Sequence, residues 1–126
     1  MIRHTVVFTL RHASGSVGEK SFLQAANILA AIPGVEKFEQ LRQTSRKNDY
    51  SFGFSMEFAD QAAYAAYNDH PDHTAFVQSR WTSEVAKFME IDYELLAGVA
   101  FEAKSLRLRL RNPASAIELV IVSAVS

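Results

Sequence analysis

Residues 50–58 read YSFGFSMEF, the clearest strand pattern in the chain. In an extended backbone Tyr50, Phe52, Phe54, Met56 and Phe58 fall on one side, and Ser51, Gly53, Ser55 and Glu57 on the other. The first side is bulky and aromatic and has to be buried. The second is almost bare, so something else can approach its backbone closely. A strand of this kind calls for a sheet with a heavily packed face and a thinly covered one.

The flanking segments supply the rest of that sheet. Residues 2–10, IRHTVVFTL, are rich in β-branched and aromatic side chains and read as a strand. Serines and glycines over 14–18 mark a loop. Phe22, Leu23, Ala26, Ile28, Leu29 and Ile32 then recur near helical period, and the helix stops before Pro33-Gly34. Residues 35–44 alternate loosely as a second strand, followed by a polar turn over 45–49. Asp60 suits the N-cap of an alanine-rich helix over 61–67. Phe76, Val77, Trp81, Val85 and Phe88 suggest a further amphipathic segment, and residues 89–95 alternate as a closing strand.

The order is β-α-β-β-α-β, the ferredoxin-like α+β arrangement, with a four-stranded antiparallel sheet and helices on one face. The other face needs a partner, and a second copy of the same sheet is the simplest one. Residues 1–97 form the expected domain. Residues 98–126 differ in character, with four basic and two acidic residues, a strict LRLRLR alternation and an IELVIV run. They are expected to form an added β-hairpin or a disordered tail. An exposed IELVIV run would invite aggregation.

Composition narrows the function classes. The chain has 126 residues, 48% hydrophobic and 21% charged, ordinary for a soluble globular domain. Its net charge of -1 gives no general attraction to nucleic acid or anionic membranes. The basic cluster Arg42, Arg46, Lys47 reads as a solvated turn. The absence of cysteine rules out disulfides and thiolate chemistry and fits a reducing, cytoplasmic setting. Arg3, His4 and Arg11 interrupt the early apolar run, so no signal peptide is expected. No stretch approaches the ~20 apolar residues of a spanning helix.

The chemistry concentrates in Tyr67-Asn68-Asp69-His70-Pro71-Asp72-His73. Histidine titrates near neutral pH and can move a proton or bind a metal. Pro71 suits the first turn of a helix and pushes His70 toward extended geometry. A helix is therefore expected to end near Tyr67, turn at 68–70 and restart at Pro71. This geometry sets His70 and His73 in different directions, which argues against a metal pair, and no metal or cofactor is expected. A bland alternative stands beside the functional one: His70 braces the corner, Tyr67 packs its ring, and the Phe52–Phe58 stripe is simply core.

Taken together, IRHTVVFTL, PGVEKFEQLRQ, YSFGFSMEF, AAYAAYNDHPDHTAFV and MEIDYEL resemble the stress-responsive A/B barrel domain (Dabb) family over about residues 1–96. The Y-x-x-H-P-x-H-x-x-F pattern, following a strand that carries a histidine, is the specific part. The resemblance implies a dimeric α+β barrel in which two sheets pack face to face. Its members include proteins of unknown activity, stress-associated oligomers and a plant polyketide cyclase. By motif position the cyclase's functional residues fall on His4, Tyr67 and His73, with His70 at the first motif histidine. Phe52 stands where the cyclase has a histidine in its third strand.

These observations support a homodimer that binds a small, partly apolar molecule between sheet and helices, with cofactor-free acid–base chemistry of cyclase or lyase type. His73 would be the base, Tyr67 the polarising acid and His4 an assisting group, with His70, Phe52, Phe54 and Phe76 lining the pocket. Nucleic acid and membrane are not expected partners. Two alternatives are a non-catalytic oligomeric stress or assembly protein and a monooxygenase-like dimeric barrel enzyme.

Overall fold

Strand β1, Ile2–Leu10, runs through the interior of a four-stranded sheet, flanked by β3 (Phe52–Phe58) and β4 (Val85–Glu94). β2 (Glu36–Arg42) lies beyond β3, giving the order β2-β3-β1-β4. Every neighbouring pair is antiparallel. The computed structural model describes residues 1–96; the hairpin or tail expected over 98–126 lies outside the described residues.

The helices lie where the sequence breaks demand. α1 (Val17–Ala25) begins earlier than the apolar periodicity suggests, because the Ser16 hydroxyl accepts from the Glu19 N–H. The Glu19 carboxylate in turn accepts from the Gly15 N–H, so both ends of the first turn are satisfied. The second half of the expected helix tightens into a 3-10 segment, Ala26–Ala31, and stops before Pro33-Gly34. Gly34 takes φ +90, a left-handed value that glycine adopts without strain. Asp60 caps α2 (Gln61–Asp69) through the Ala63 N–H.

α3 (Pro71–Phe76) follows after one extended residue, His70. Val77–Trp81 then widens into a π turn closed by the Thr82 N–H on the Val77 carbonyl, and α4 (Thr82–Glu84) leads into β4. β4 starts four residues before the alternation over 89–95. Its first residues pair with the end of β1, Val85 opposite Leu10 and Phe88 opposite Phe8, across a bulge at Thr9/Leu10.

Even-numbered residues of β1 and β3 point to the helices. Phe8 sits at the centre, with ring centroids 4.7 Å from Phe54, 5.1 Å from Trp81, 5.7 Å from Phe52 and 5.8 Å from Phe22. Ala26, Leu29 and Ile32 close the core from the α1 side, and Tyr64, Tyr67 and Phe76 from the other. Burying each such aromatic side chain contributes roughly 1.5–3 kcal/mol.

The opposite face carries Thr5, Val7 and Thr9 of β1, Gly53 and Ser55 of β3, and Met89, Ile91 and Tyr93 of β4. A Cβ on Gly53 would meet only the Val6 carbonyl at 3.5 Å and Val7 Cγ1 at 3.8 Å, so this face is as open as the sequence implies. Leu41, Met89 and Tyr93 are all exposed. No described residue covers them.

Candidate functional site

The site is built from three elements. β1 supplies His4, α2 supplies Tyr67 and α3 supplies His73. All three line one cavity of about 230 Å³ between sheet and helices. Phe54, Phe76, Trp81 and Phe88 form its aromatic wall, and Val6, Leu29, Met56 and Val77 complete the apolar lining. Glu90 of β4 is its one carboxylate. No lysine or arginine lines it among the described residues.

The corner between α2 and α3 aims the motif. His70 is extended (φ -65, ψ 137), and its Nδ1 accepts from the Asp72 N–H at 3.1 Å, capping α3. His70 is thus turned back onto the backbone and does not line the cavity. Phe52 also stands outside it, because its place on β3 is opposite Phe8, toward the far end of the sheet. There it packs under the Arg42 guanidinium, 5.3 Å from the ring. Of the residues expected at a pocket, Phe54 and Phe76 are at this one.

His73 donates Nδ1–H to the Asn68 carbonyl at 3.1 Å. A carbonyl can only accept, so the neutral ring carries its proton on Nδ1 and leaves a lone pair on Nε2. Burial holds the imidazole below its ordinary pKa, with the neighbouring His4 acting in the same direction; the Asn68 bond and Glu90 partly oppose them. His73 is therefore a free base at neutral pH. Its ring lies 4.6 Å from that of Tyr67.

Tyr67 is almost fully buried, yet its hydroxyl has no hydrogen-bond partner among the described residues, and no buried side-chain polar atom there is left unsatisfied. The hydroxyl therefore reaches the cavity surface. Burial, and secondarily the Glu90 charge, push its pKa up, so it stays a donor.

His4 is tied from behind. Its Nδ1–H donates to Asp92 Oδ1 at 2.6 Å, and the Tyr64 hydroxyl donates to Asp92 Oδ2 at 2.8 Å. The Tyr64 oxygen is also 2.8 Å from His4 Nδ1. Burial first, then the bond to Asp92, push the Tyr64 hydroxyl up in pKa. The carboxylate holds a proton on His4 Nδ1 and fixes the orientation of the ring.

Sequence reasoning missed Asp92, Tyr64 and Glu90. Acidic alternation over 90–94 reads as a solvated strand face. The signal that could have found them is parity: Asp92 pairs with His4 and Glu90 with Val6, so this face of β4 shares the side of the sheet that carries the histidine. Tyr64 lies three residues before Tyr67, on the same helix face. Among the described residues no three His, Asp or Glu side chains are grouped to hold a metal ion. No helix among them is long and apolar enough to cross a membrane.

A four-stranded antiparallel sheet of this order, with helices on one face, defines a ferredoxin-like domain. The chain belongs to the Stress responsive A/B Barrel Domain family, Dabb, whose model matches residues 2–95. A Dabb family protein of ferredoxin-like fold from Mesorhizobium loti is 71% identical, with a TM-score of 0.75 over 75% of this chain and 96% of its own. A dimeric ferredoxin-like protein of unknown function from Thermobifida fusca is 23% identical, with a TM-score of 0.62 over 75% of this chain and 90% of its own. A hydroxynitrile lyase from Passiflora edulis shares the fold at 12% identity, with a TM-score of 0.64 over 75% and 92%. No curated protein matches the chain.

Proposed function

We propose that this protein is a homodimer that binds a small, partly apolar molecule in the His4–Tyr67–His73 cavity and carries out cofactor-free proton transfer on it. The observation that carries this reading is the meeting of three acid–base side chains, from three separate elements, on one largely apolar cavity. His73 Nε2 takes a proton from an acidic C–H or O–H of the ligand. Tyr67 O–H hydrogen-bonds to the oxygen on which negative charge develops. His4, held by Asp92, orients the ligand. Cyclase and lyase reactions both use this combination.

The dimer is supported by the open sheet face, where Met89, Tyr93 and Leu41 are exposed while Gly53 and Ser55 leave room for a second sheet. A fold neighbour described as dimeric agrees with it. A non-catalytic assembly role is the second reading, favoured by the same face.

Titration of a panel of small aromatic ketones and alcohols, followed by Trp81 fluorescence and by NMR of the ligands, tests the cavity. Saturable binding that His73→Ala and Tyr67→Phe alter supports the proposal. Affinities and proton-exchange rates that neither substitution changes would leave the assembly role.

A further inference from the structure

Two polar groups on the cavity wall are unengaged acceptors, the exposed Glu90 carboxylate and His73 Nε2. Glu90 has no ion-pair or hydrogen-bond partner among the described residues, although it shares the cavity wall with both histidines. Each histidine has spent its Nδ1 proton, His4 on Asp92 and His73 on Asn68. The donors on the wall without a partner among the described residues are the Tyr67 hydroxyl and the Trp81 indole N–H. The second carboxylate, Asp92, stands behind His4. The cavity wall therefore carries one carboxylate and no lysine or arginine among the described residues.

An anionic ligand would meet the like charge of Glu90 with no lysine or arginine among the described lining residues to offset it. A neutral oxygen would use Tyr67 or Trp81 and leave the Glu90 charge without a partner. A protonated amine supplies three N–H donors and a positive charge. The aromatic wall adds to this, since ring faces attract cations. Trp81 and Phe88 meet edge to face at 5.5 Å, and Glu90 follows Phe88 on the same side of β4, about 6.6 Å further along the strand.

We infer that the cavity selects an organic cation, a primary ammonium on a phenyl-sized body, with its charge at Glu90 and its ring against Trp81 and Phe88. This names the ligand class of the cavity proposed above and rests on that reading. The lowered pKa of His73 agrees with it, because a neutral imidazole accepts where an imidazolium would repel. Burial first, and the Glu90 charge second, push the Tyr67 hydroxyl up in pKa.

The chain has a single tryptophan, Trp81, and it lines the cavity, so intrinsic fluorescence reports occupancy. Three probes of one shape are titrated at low salt near neutral pH: 2-phenylethylamine, 2-phenylethanol and 3-phenylpropionate. The amine is expected to bind about tenfold more tightly than the alcohol, with the propionate weakest. Glu90→Gln should weaken the amine about fivefold and leave the alcohol within about twofold. Glu90→Asp, which keeps the charge, should retain the amine's advantage. Propionate binding as tightly as the amine, or an amine-to-alcohol ratio unmoved by Glu90→Gln, overturns the assignment while leaving the cavity a ligand site. Silence from all three probes overturns the ligand site and this inference together.

Discussion

His4 and Asp92 face each other across the β1–β4 ladder, with Nδ1 of one 2.6 Å from Oδ1 of the other, and Tyr64 joins both through its hydroxyl. The pair fixes a tautomer as well as a position. Asp92→Asn removes the charge that holds the proton on Nδ1. Nitrogen NMR should then show His4 passing from one tautomer to a mixture, with a loss of about 1 kcal/mol in stability, the lower range for a hydrogen bond to a charged group because Asp92 is partly exposed. Tyr64→Phe should cost a similar amount and leave the tautomer unchanged. A His4 tautomer indifferent to Asp92→Asn would refute the tie.

His73 gives the fold a pH dependence of definite sign. Its folded pKa lies below the ordinary histidine value of about 6.5. The unfolded chain therefore takes up a proton at a pH where the folded chain does not, and stability falls as pH drops below about 6.5 toward the folded value. Above about 6.5 both states are unprotonated and His73 adds no slope. Denaturant melts of wild type and His73→Gln should diverge across that window, with the variant losing less on acidification. The comparison is needed because Glu84, held below the ordinary range mainly by Arg80, adds its own loss at lower pH. Parallel curves would show that His73 is not buried as described.

Phe8 is fully buried and touches four aromatic neighbours. Phe8→Ala should destabilise the domain by about 3–5 kcal/mol, the usual range for an aromatic cavity in a core. Phe8→Leu keeps much of the volume and should cost less. Chemical denaturation measures both. A loss below ~1 kcal/mol for the alanine variant would mean the ring is not central to packing.

The open face makes a prediction about association. Met89 is 45% exposed, so Met89→Lys should leave a single chain's fold intact while setting a charge where two sheets would meet. Sedimentation equilibrium should show a dimer for wild type and a shift to monomer for the variant, with near-native circular dichroism in both. A wild-type monomer at micromolar concentration would remove the homodimer from the proposal.

Gly18 is held to its size by a neighbour. A Cβ there would run into the His12 ring, whose Nε2 lies 2.6 Å from Glu84 Oε1. Gly18→Ala should displace the ring, break that contact and destabilise the domain by about 1 kcal/mol. In the His12→Ala background the same change should cost little, and a double-mutant cycle reads the difference.

Much of the architecture was written in local pattern. YSFGFSMEF gave β3 with both faces correct from Phe52 onward, although Tyr50 and Ser51 precede the strand, and Pro33-Gly34 and Pro71 marked real breaks, because chain stereochemistry acts where it is encoded. The boundaries that moved were set by partners. β4 extends back to Val85 because β1 has residues left to pair, and α1 starts at Val17 because Ser16 caps it. The site was legible as far as its motif. His4, Tyr67 and His73 could be named, whereas Asp92 and Glu90 could not, since a carboxylate on an alternating strand looks solvated until the register places it beside a histidine. His70 carries the same ring as His73, yet one backbone N–H two residues away turns it to capping.

β4 gives its even positions, Phe88, Glu90 and Asp92, to the cavity side and its odd positions, Met89, Ile91 and Tyr93, to the open face. On the proposed reading, point substitutions vary ligand preference and self-association independently, each along its own set of alternate residues. An insertion or deletion cannot. Slipping this strand by one residue would turn Met89 and Ile91 toward the pocket and Glu90 toward the open face, altering both faces in one event. Within this strand, descent with altered specificity is confined to replacement, and changes of length fall to the loops.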